Sequence, residues 1–524
     1  MNAQERLRQA IDQQRDRLRA GVPRDREGAI LAVLRARELL PLPGASRQQP
    51  DPVSGHRLAD PGGNLALRLC VESTGGDTGQ RGSALDGWAE RFMMECGSLA
   101  EAELALAHCE TGFMRLVDGS GGTFEAWITT KRAPATWRER AEFEWWAAWL
   151  AQRHGPGLTD VAGSEAGDDG LYRRWADARV AMMGHQLAYP PDALVDGCAI
   201  GAYRAVLGRL IVRALQARDR GELQAPLSER ELVATLASSL GADAAVIGRA
   251  VAAFTLDREN AAWHAAVPGI AAAPLVRVDG DRLVWSLRGL TTEPLLFVAR
   301  ELRRRAAQEY NNTAILREGL FRQDLYTLFV DKRFVTSGGR IELRRDSGNV
   351  RTDIDAVVFD RKTGALAFFE LKSQDPFARS TTELARQRDN LLYANRQISG
   401  ALAWLQRSGA NELLNRVDSR TAKPFRAHNV YPFVLSRYLA HFSDGPKPDR
   451  RAAWGTWPQL LRLLDGQPVR ASDANPLASL FNRLSKDEPD LRPSDGTPPR
   501  ELEIGGARLM VHPSYAAFQA SAAR

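Results

Sequence analysis

Apolar residues recur three and four positions apart in residues 3–20, where Leu7, Ile11 and Leu18 share one stripe, and predict an amphipathic helix. A second helix is predicted from about Arg24 to Leu40. Pro41–Asn64 is dense in Pro and Gly and reads as a linker. Helical periodicity then resumes and runs to about Phe254, broken by one hairpin in MRLVDGSGGTFEAWITT, where Asp-Gly-Ser-Gly-Gly marks the turn. Trp137, Trp145, Trp146 and Trp149 crowd one helical segment and are read as packing residues rather than base-stacking ones. Near residue 270 the texture changes. PLVRVDGDRLVWSL alternates about an Asp-Gly turn, the mark of a hairpin, and the helix TEPLLFVARELRRRAAQEY follows. Helix, strands, helix and strand then run to about Phe442. DGPKPDRR reads as a second linker, leading to short helices and a strand pair near Leu502–Val511.

Within this succession GNVRTDIDAVVFDRKTGALAFFELKSQ, residues 348–374, stands apart. Thr352–Phe359 alternates as a strand, Arg361–Gly364 is a turn, and Ala365–Ser373 is the returning strand. Antiparallel pairing about that turn sets Asp355 opposite Glu370 and Asp353 opposite Lys372, with all four on one face. Two carboxylates directly across a strand pair repel, and burial among Ile354, Val357, Phe368, Phe369 and Leu371 makes the repulsion worse. A hard divalent cation between them removes the conflict. Mg²⁺ (with Mn²⁺ as a substitute) takes oxygen ligands and is commonly held by one or two carboxylates plus a phosphate. Lys372 then stands ready to hold or deprotonate a water, or to neutralise phosphate charge. The plain alternative is a surface hairpin carrying an Asp353–Lys372 ion pair.

Length and charge narrow the setting. At 524 residues the chain exceeds one ordinary core, and the boundaries fall at 1–64, 65–268, 269–311, 312–442 and 443–524. The net charge of +6 is mild, but between Arg300 and Arg345 eleven basic residues face six acids, a local excess of five just ahead of the acidic hairpin. Cys70, Cys96, Cys109 and Cys198 never form C-x-x-C, and no apolar leader is visible, so a reducing cytoplasmic location is expected. The most apolar helical stretch, Gly197–Leu215, carries Arg204, Arg209 and Arg213, so no membrane association is expected.

Asp355 together with Glu370-Leu371-Lys372 resembles the signature of the PD-(D/E)XK, or restriction-endonuclease-like, nuclease superfamily, over residues of about 312–442. The resemblance implies an α/β fold: a mainly helical N-terminal half, then a domain with a central mixed sheet flanked by helices, then a small C-terminal appendage. It implies helices at Ala314–Phe329 and Thr381–Leu405, the second started by a Ser380…Glu383 capping box and ended by Gly409. Catalysis would fall to Asp355, Glu370 and Lys372, with the metal on Asp355, Glu370 and the Leu371 carbonyl. Glu318 is the accessory acid on the preceding helix, with Asp324 as its rival, since Phe321-Arg322 stands where the family commonly has Phe-Glu. Asp353 is read as an orienter of Lys372, Gln387 as a contact to the scissile strand, and His428 as a residue that could approach the site. The expected activity is Mg²⁺-dependent hydrolysis of nucleic acid, DNA ahead of RNA, in a setting such as antiviral defence. The helical half would choose the substrate, bind a protein partner or form a homo-oligomer. Two other readings remain: a catalytically degenerate module of the same fold that binds nucleic acid or a partner, and a helical protein-binding scaffold.

Overall fold

The apolar runs on either side of Arg361–Gly364 fold as the expected hairpin, with Ala356 opposite Phe369 and Asp360 opposite Ala365. The turn closes on Gly364 at φ 67°, a left-handed value that favours glycine. The computed structural model describes residues 2–38, 56–73, 83–129, 146, 169–266, 271–344, 349–374, 380–417, 426–442, 447–487 and 498–512. In it the hairpin is the middle of a five-stranded mixed sheet. The elements that position the site are helix α1 (Ala314–Tyr326), strands β1 (Phe334–Thr336), β2 (Ile341–Arg344), β3 (Val350–Ile354), β4 (Ala356–Asp360) and β5 (Ala365–Lys372), helix α2 (Thr381–Ser408), strands β6 (Asn429–Ser436) and β7 (Ala453–Thr456), and helices α3 (Trp457–Leu463) and α4 (Pro476–Lys486). The sheet order is β7-β6-β5-β4-β1. β4 runs antiparallel to β5 and to β1, whereas β5, β6 and β7 are parallel. The chain is thus α/β, and the last strand of this sheet lies beyond residue 442, in the stretch expected to be an appendage.

Strand periodicity divides the sheet's side chains between two layers. Val357, Phe359, Leu366, Phe368 and Val434 pack with Leu391, Ile398 and Trp404 of α2. Ala356, Val358, Phe369, Leu371, Phe433 and Leu435 pack on the other side with Phe321 of α1, Leu460 of α3 and Leu480 of α4. A strand buried on both faces reads as a continuous apolar run, which is why ALAFFEL shows little alternation. Ser380 caps α2 by accepting the Glu383 N–H, while the Glu383 carboxylate pairs with Arg300 at 2.9 Å. At the turn end of the hairpin Asp360 is fully buried, gripped by Arg333 through two 2.6 Å hydrogen bonds.

The N-terminal part is mainly helical, as its periodicity predicts, with one correction. The helix His56–Glu72 begins inside the Pro/Gly-rich stretch expected to be linker up to Asn64. Gly62 of this helix and Gly97 of the helix Ser83–Glu110 let the two backbones approach closely. A Cβ at Gly62 would lie 1.9 Å from the Met93 carbonyl oxygen, and one at Gly97 would lie 2.2 Å from that of Leu58. Both expected hairpins form, Met114–Asp118 with Thr123–Ile128 and Leu275–Asp279 with Arg282–Trp285. The tail hairpin, Arg500–Ile504 with Ala507–His512, adds in parallel to Thr123–Ile128. Residues 500–512 are therefore built into the sheet of residues 114–128, not hung on as a separate appendage. Trp146 is buried with its ring 4.2 Å from that of His185, a packing role; Trp137, Trp145 and Trp149 lie outside the described residues. No single helix among the described residues is long and apolar enough to cross a membrane.

Candidate active site

The strand expected to run unbroken over Thr352–Phe359 is broken at Asp355. β3 leaves the main sheet and pairs with β2, placing Asp353 opposite Glu342 and not opposite Lys372. The break has a local cause. Leu371 and Phe369 point their backbone groups toward β4, and there Asp355 N–H donates to the Phe369 carbonyl at 3.2 Å while the Asp355 carboxylate takes the Leu371 N–H at 2.8 Å. A side chain has replaced a rung of the ladder, the competition that Asp regularly offers a backbone. Arg322 of α1 braces the bend, donating to the Asp355 carbonyl at 3.2 Å. Since N–H and C=O of one strand residue point to the same side, the Leu371 carbonyl also faces the Asp355 edge.

Asp355 and Glu370 nevertheless come together. Both are buried, 4% and 3% exposed, and near enough for each to act on the other's ionisation. Lys372 joins them, its Nζ 2.5 Å from Glu370 Oε1. Burial, followed by the Asp355 charge, pushes Glu370 well above the ordinary carboxylate range, against the pull of Lys372. Burial likewise raises Asp355, with the Leu371 N–H and Lys372 opposing. Burial would lower Lys372, but Glu370, Asp355 and Glu318 outweigh it, so the side chain is an ammonium at neutral pH. That favours holding a water or phosphate oxygen over abstracting a proton.

Glu318, and not Asp324, is the acid that α1 presents to this cluster. Burial and the Asp355 charge raise its carboxyl to about 7. Asp324 is taken by an ion pair with Arg437. Asp353 does reach Lys372, but through an intermediary that sequence reading missed. Gln397 of α2 accepts from Lys372 Nζ at 2.9 Å and donates to Asp353 Oδ1 at 3.1 Å, and Asp353 in turn pairs with Arg340 at 3.0 Å. The legible signal was a polar residue on the buried stripe Leu384–Gln387–Leu391–Ala394–Ile398 of α2. Gln387 carries the same signal and is buried, not exposed, but it lies ten residues from Gln397, about 15 Å along the helix. Its carbonyl meets Gln374 Nε2 at 3.5 Å. His428 bonds through its N–H to the Gly364 carbonyl, at the turn end of β5, roughly 20 Å of strand from Glu370.

Compared with protein families, with curated proteins and with solved structures, the chain matches none. What the site can do therefore has to come from its own groups.

Three carboxyls, Glu318, Asp355 and Glu370, share a mostly buried volume with one ammonium, leaving about two negative charges uncompensated once all are ionised. Among the described residues no set of three His, Cys, Asp or Glu side chains is arranged as a ready metal cage. The donor set instead suits an ion that takes two carboxylates and a carbonyl and keeps its remaining positions for water and phosphate, as Mg²⁺ does.

This electrostatic conflict predicts a stability signature. A carboxyl raised in the folded state binds protons that the unfolded chain has already released, so stability falls as pH climbs from the ordinary carboxylate range through the raised value. Asp355→Asn keeps an acceptor for Leu371 N–H and removes the charge. In chelator at pH 8 the variant should melt a few degrees above the wild type, at about 1.4 kcal/mol per unit of pKa relieved. The gap should close toward pH 5, and added Mg²⁺ should stabilise only the wild type. Thermal melts across pH 5–8.5 check this. An Asn variant less stable at every pH would remove the claim of repulsion.

Proposed function

We propose that the protein is a metal-dependent nuclease of the PD-(D/E)XK kind, hydrolysing phosphodiester bonds in nucleic acid, with DNA the favoured substrate and the cytosol its location. One observation carries this reading: two buried, mutually repelling carboxyls, Asp355 and Glu370, meet beside the Lys372 ammonium at the end of β5, the central strand of an α/β sheet. Such a cluster weakens a fold that has no use for it. The sheet supports the family reading, with an antiparallel hairpin carrying the acids, a parallel strand beside it and helices on both faces. The mild positive excess of residues 300–345 is of the sign phosphates require.

Asp355, Glu370 and the Leu371 carbonyl would hold Mg²⁺ or Mn²⁺. When bound, the ion polarises the phosphoryl oxygens and acidifies a water. Lys372, held as an ammonium by Glu370 and Gln397, donates to the attacking water or to a non-bridging phosphate oxygen and offsets the charge developing there. Glu318, titrating near neutrality, can accept or return a proton at the edge of the site. Arg322 fixes the Asp355 backbone, so the carboxyl keeps its direction.

The test is incubation of the full chain with supercoiled, linear duplex and single-stranded DNA and with RNA, in Mg²⁺, in Mn²⁺ and in chelator. Cleavage of any form that needs the metal supports the proposal. Chelator-indifferent binding with no cleavage gives the degenerate binding module instead.

Gln397 supplies a narrower prediction. Gln397→Leu frees Lys372 from one of its two anchors and leaves the carboxyls in place. The maximal cleavage rate should fall about tenfold to a hundredfold, the range expected for a lost supporting contact or a reacting group displaced by about an ångström. The Mg²⁺ concentration for half-maximal rate should stay within about twofold of the wild type. Rates measured against Mg²⁺ concentration decide it, and an unchanged maximal rate means that Gln397 does not position Lys372.

A further inference from the structure

A cavity of about 610 Å³ opens beside the candidate site, lined by Arg351, Asn395, Arg396, Ser399, Gly400 and Asp449. That volume lies within the span of ordinary ligand sites. One wall is β3, where Arg351, two residues before Asp353, is the extra residue of a bulge in the pairing with β2. The other wall is α2, through Asn395, Arg396, Ser399 and Gly400, and the exposed Tyr393 stands one turn before Arg396 on the same helix. Segment 447–451 closes the far side. Its one acid, Asp449, is held by Arg451 at 2.5 Å and by Ser399 at 3.2 Å. Among the described residues no carboxylate pairs with Arg351 or Arg396, and Lys447 and Arg450 are exposed nearby. Among the described residues the cavity is therefore positive, with Arg351 and Arg396 lacking a carboxylate partner.

Tyr393 links this cavity to the chemistry. It is a large ring left 50% exposed. Its centroid is 5.2 Å from Lys372 Nζ and 5.4 Å from the Arg396 guanidinium carbon. A half-exposed aromatic near both the candidate catalytic ammonium and the Arg396 guanidinium joins the two elements by which proteins hold unpaired nucleotides, a stacking platform and a cationic track for the backbone. In a duplex the base faces are already stacked on their neighbours, so a ring offered at this point serves a strand whose bases are open.

We propose that Tyr393, Arg396 and Arg351 form a binding track for single-stranded nucleic acid, with a base stacked on Tyr393 next to the phosphate held at Asp355, Glu370 and Lys372. This rests on the nuclease reading for the position of that phosphate, but not for the binding itself. The substrate class is then an unpaired strand, such as a single-stranded end, flap or loop, and not an intact duplex.

The test measures fluorescence anisotropy in chelator with the full chain and three labelled probes: a 20-nucleotide DNA strand, an RNA strand of the same sequence, and a blunt DNA hairpin closed by a non-nucleotide linker in place of a loop. The wild type should bind a single strand at least tenfold more tightly than the hairpin, and whichever strand binds better identifies the sugar. Tyr393→Ala should weaken single-strand binding about five- to a hundredfold, the range for loss of one stacked base, and leave hairpin binding unchanged. Tyr393→Phe should stay within about twofold of the wild type. The double variant Arg351→Ala/Arg396→Ala should flatten the salt dependence by one to two in log–log slope. The track is overturned if Tyr393→Ala binds single strands like the wild type, if the hairpin loses equally, or if no probe binds. Cleavage assays in Mg²⁺ separate this outcome from that of the hydrolase. Cleavage that requires Glu370 but ignores Tyr393 overturns the track and keeps the nuclease, whereas Tyr393-dependent binding without cleavage does the reverse.

Discussion

Glu370→Ala is expected to lower metal-dependent cleavage at least about a thousandfold while leaving nucleic-acid binding in chelator within about threefold of the wild type. The size follows from what is removed. Glu370 would be one of two carboxylates on the ion and is also the 2.5 Å partner of Lys372, so its loss unseats the metal and releases the ammonium together. Groups aimed at developing charge are worth about 10²–10³ each by truncation, and here two are disturbed at once. Effects of groups acting as a unit do not add, so Glu370→Ala/Lys372→Ala should be little worse than Glu370→Ala alone. Stability separates catalytic loss from misfolding. Removing a buried carboxyl that is raised by its surroundings should not lower the melting temperature measured in chelator at pH 8. Single-turnover cleavage and a thermal melt on the same preparation decide the matter, and retained activity in the alanine variant would end the proposal.

Arg333→Ala should cost about 3–5 kcal/mol of folding free energy, the usual result of stripping one partner from a buried ion pair. Against a total of about 5–15 kcal/mol for an ordinary domain, this brings the α/β part close to unfolding. Arg333 holds Asp360 at the end of β4 and also donates to the carbonyls of Ala471 and Asp473 at 2.6 Å, tying the segment before α4 to the hairpin. For Asp360 burial acts upward, but the Arg333 hydrogen bonds and those from Thr363 and the Lys362 N–H hold its carboxyl below the ordinary range. In the wild type this contribution is present above the ordinary carboxylate pKa and is lost as pH falls through the lowered value. Without Arg333 the buried carboxyl rises instead, so the variant should lose further ground as pH increases from 5 to 8. Urea unfolding at both pH values checks the magnitude and the sign. A loss under about 1 kcal/mol would mean that the pair does not hold this corner together.

The comparison of Gln387 with Gln397 shows where sequence reading stops. Both fall on the buried stripe of one helix, and nothing in spacing says which faces Lys372. The choice depends on where α2 crosses the sheet, which Leu391, Ile398 and Trp404 settle by packing on Val357 and Phe368. The break at Asp355 was hidden for a related reason. Period-two alternation runs straight through it, and only the Leu371 N–H reaching the carboxylate shows that one rung has been exchanged. Gly62 misled in the opposite direction, since composition cannot tell a loop from two helices in close contact.

The sequence by itself determined the hairpin, its register about Gly364 and the shared face of Glu370 and Lys372 on β5, because strand period and turn position are local properties of the chain. It also determined the helical character of the N-terminal half, through periodicity alone. Tertiary structure decided the rest. It sent β3 to β2, brought β7 in from beyond residue 442, returned residues 500–512 to the first hairpin, turned Glu318 toward the cluster and Asp324 to Arg437, bonded Gln397 to Lys372, and set Tyr393 beside the ammonium. Those outcomes depend on which distant surfaces bury one another, and a free energy of that kind belongs to the packed assembly of elements and not to any one stretch of residues.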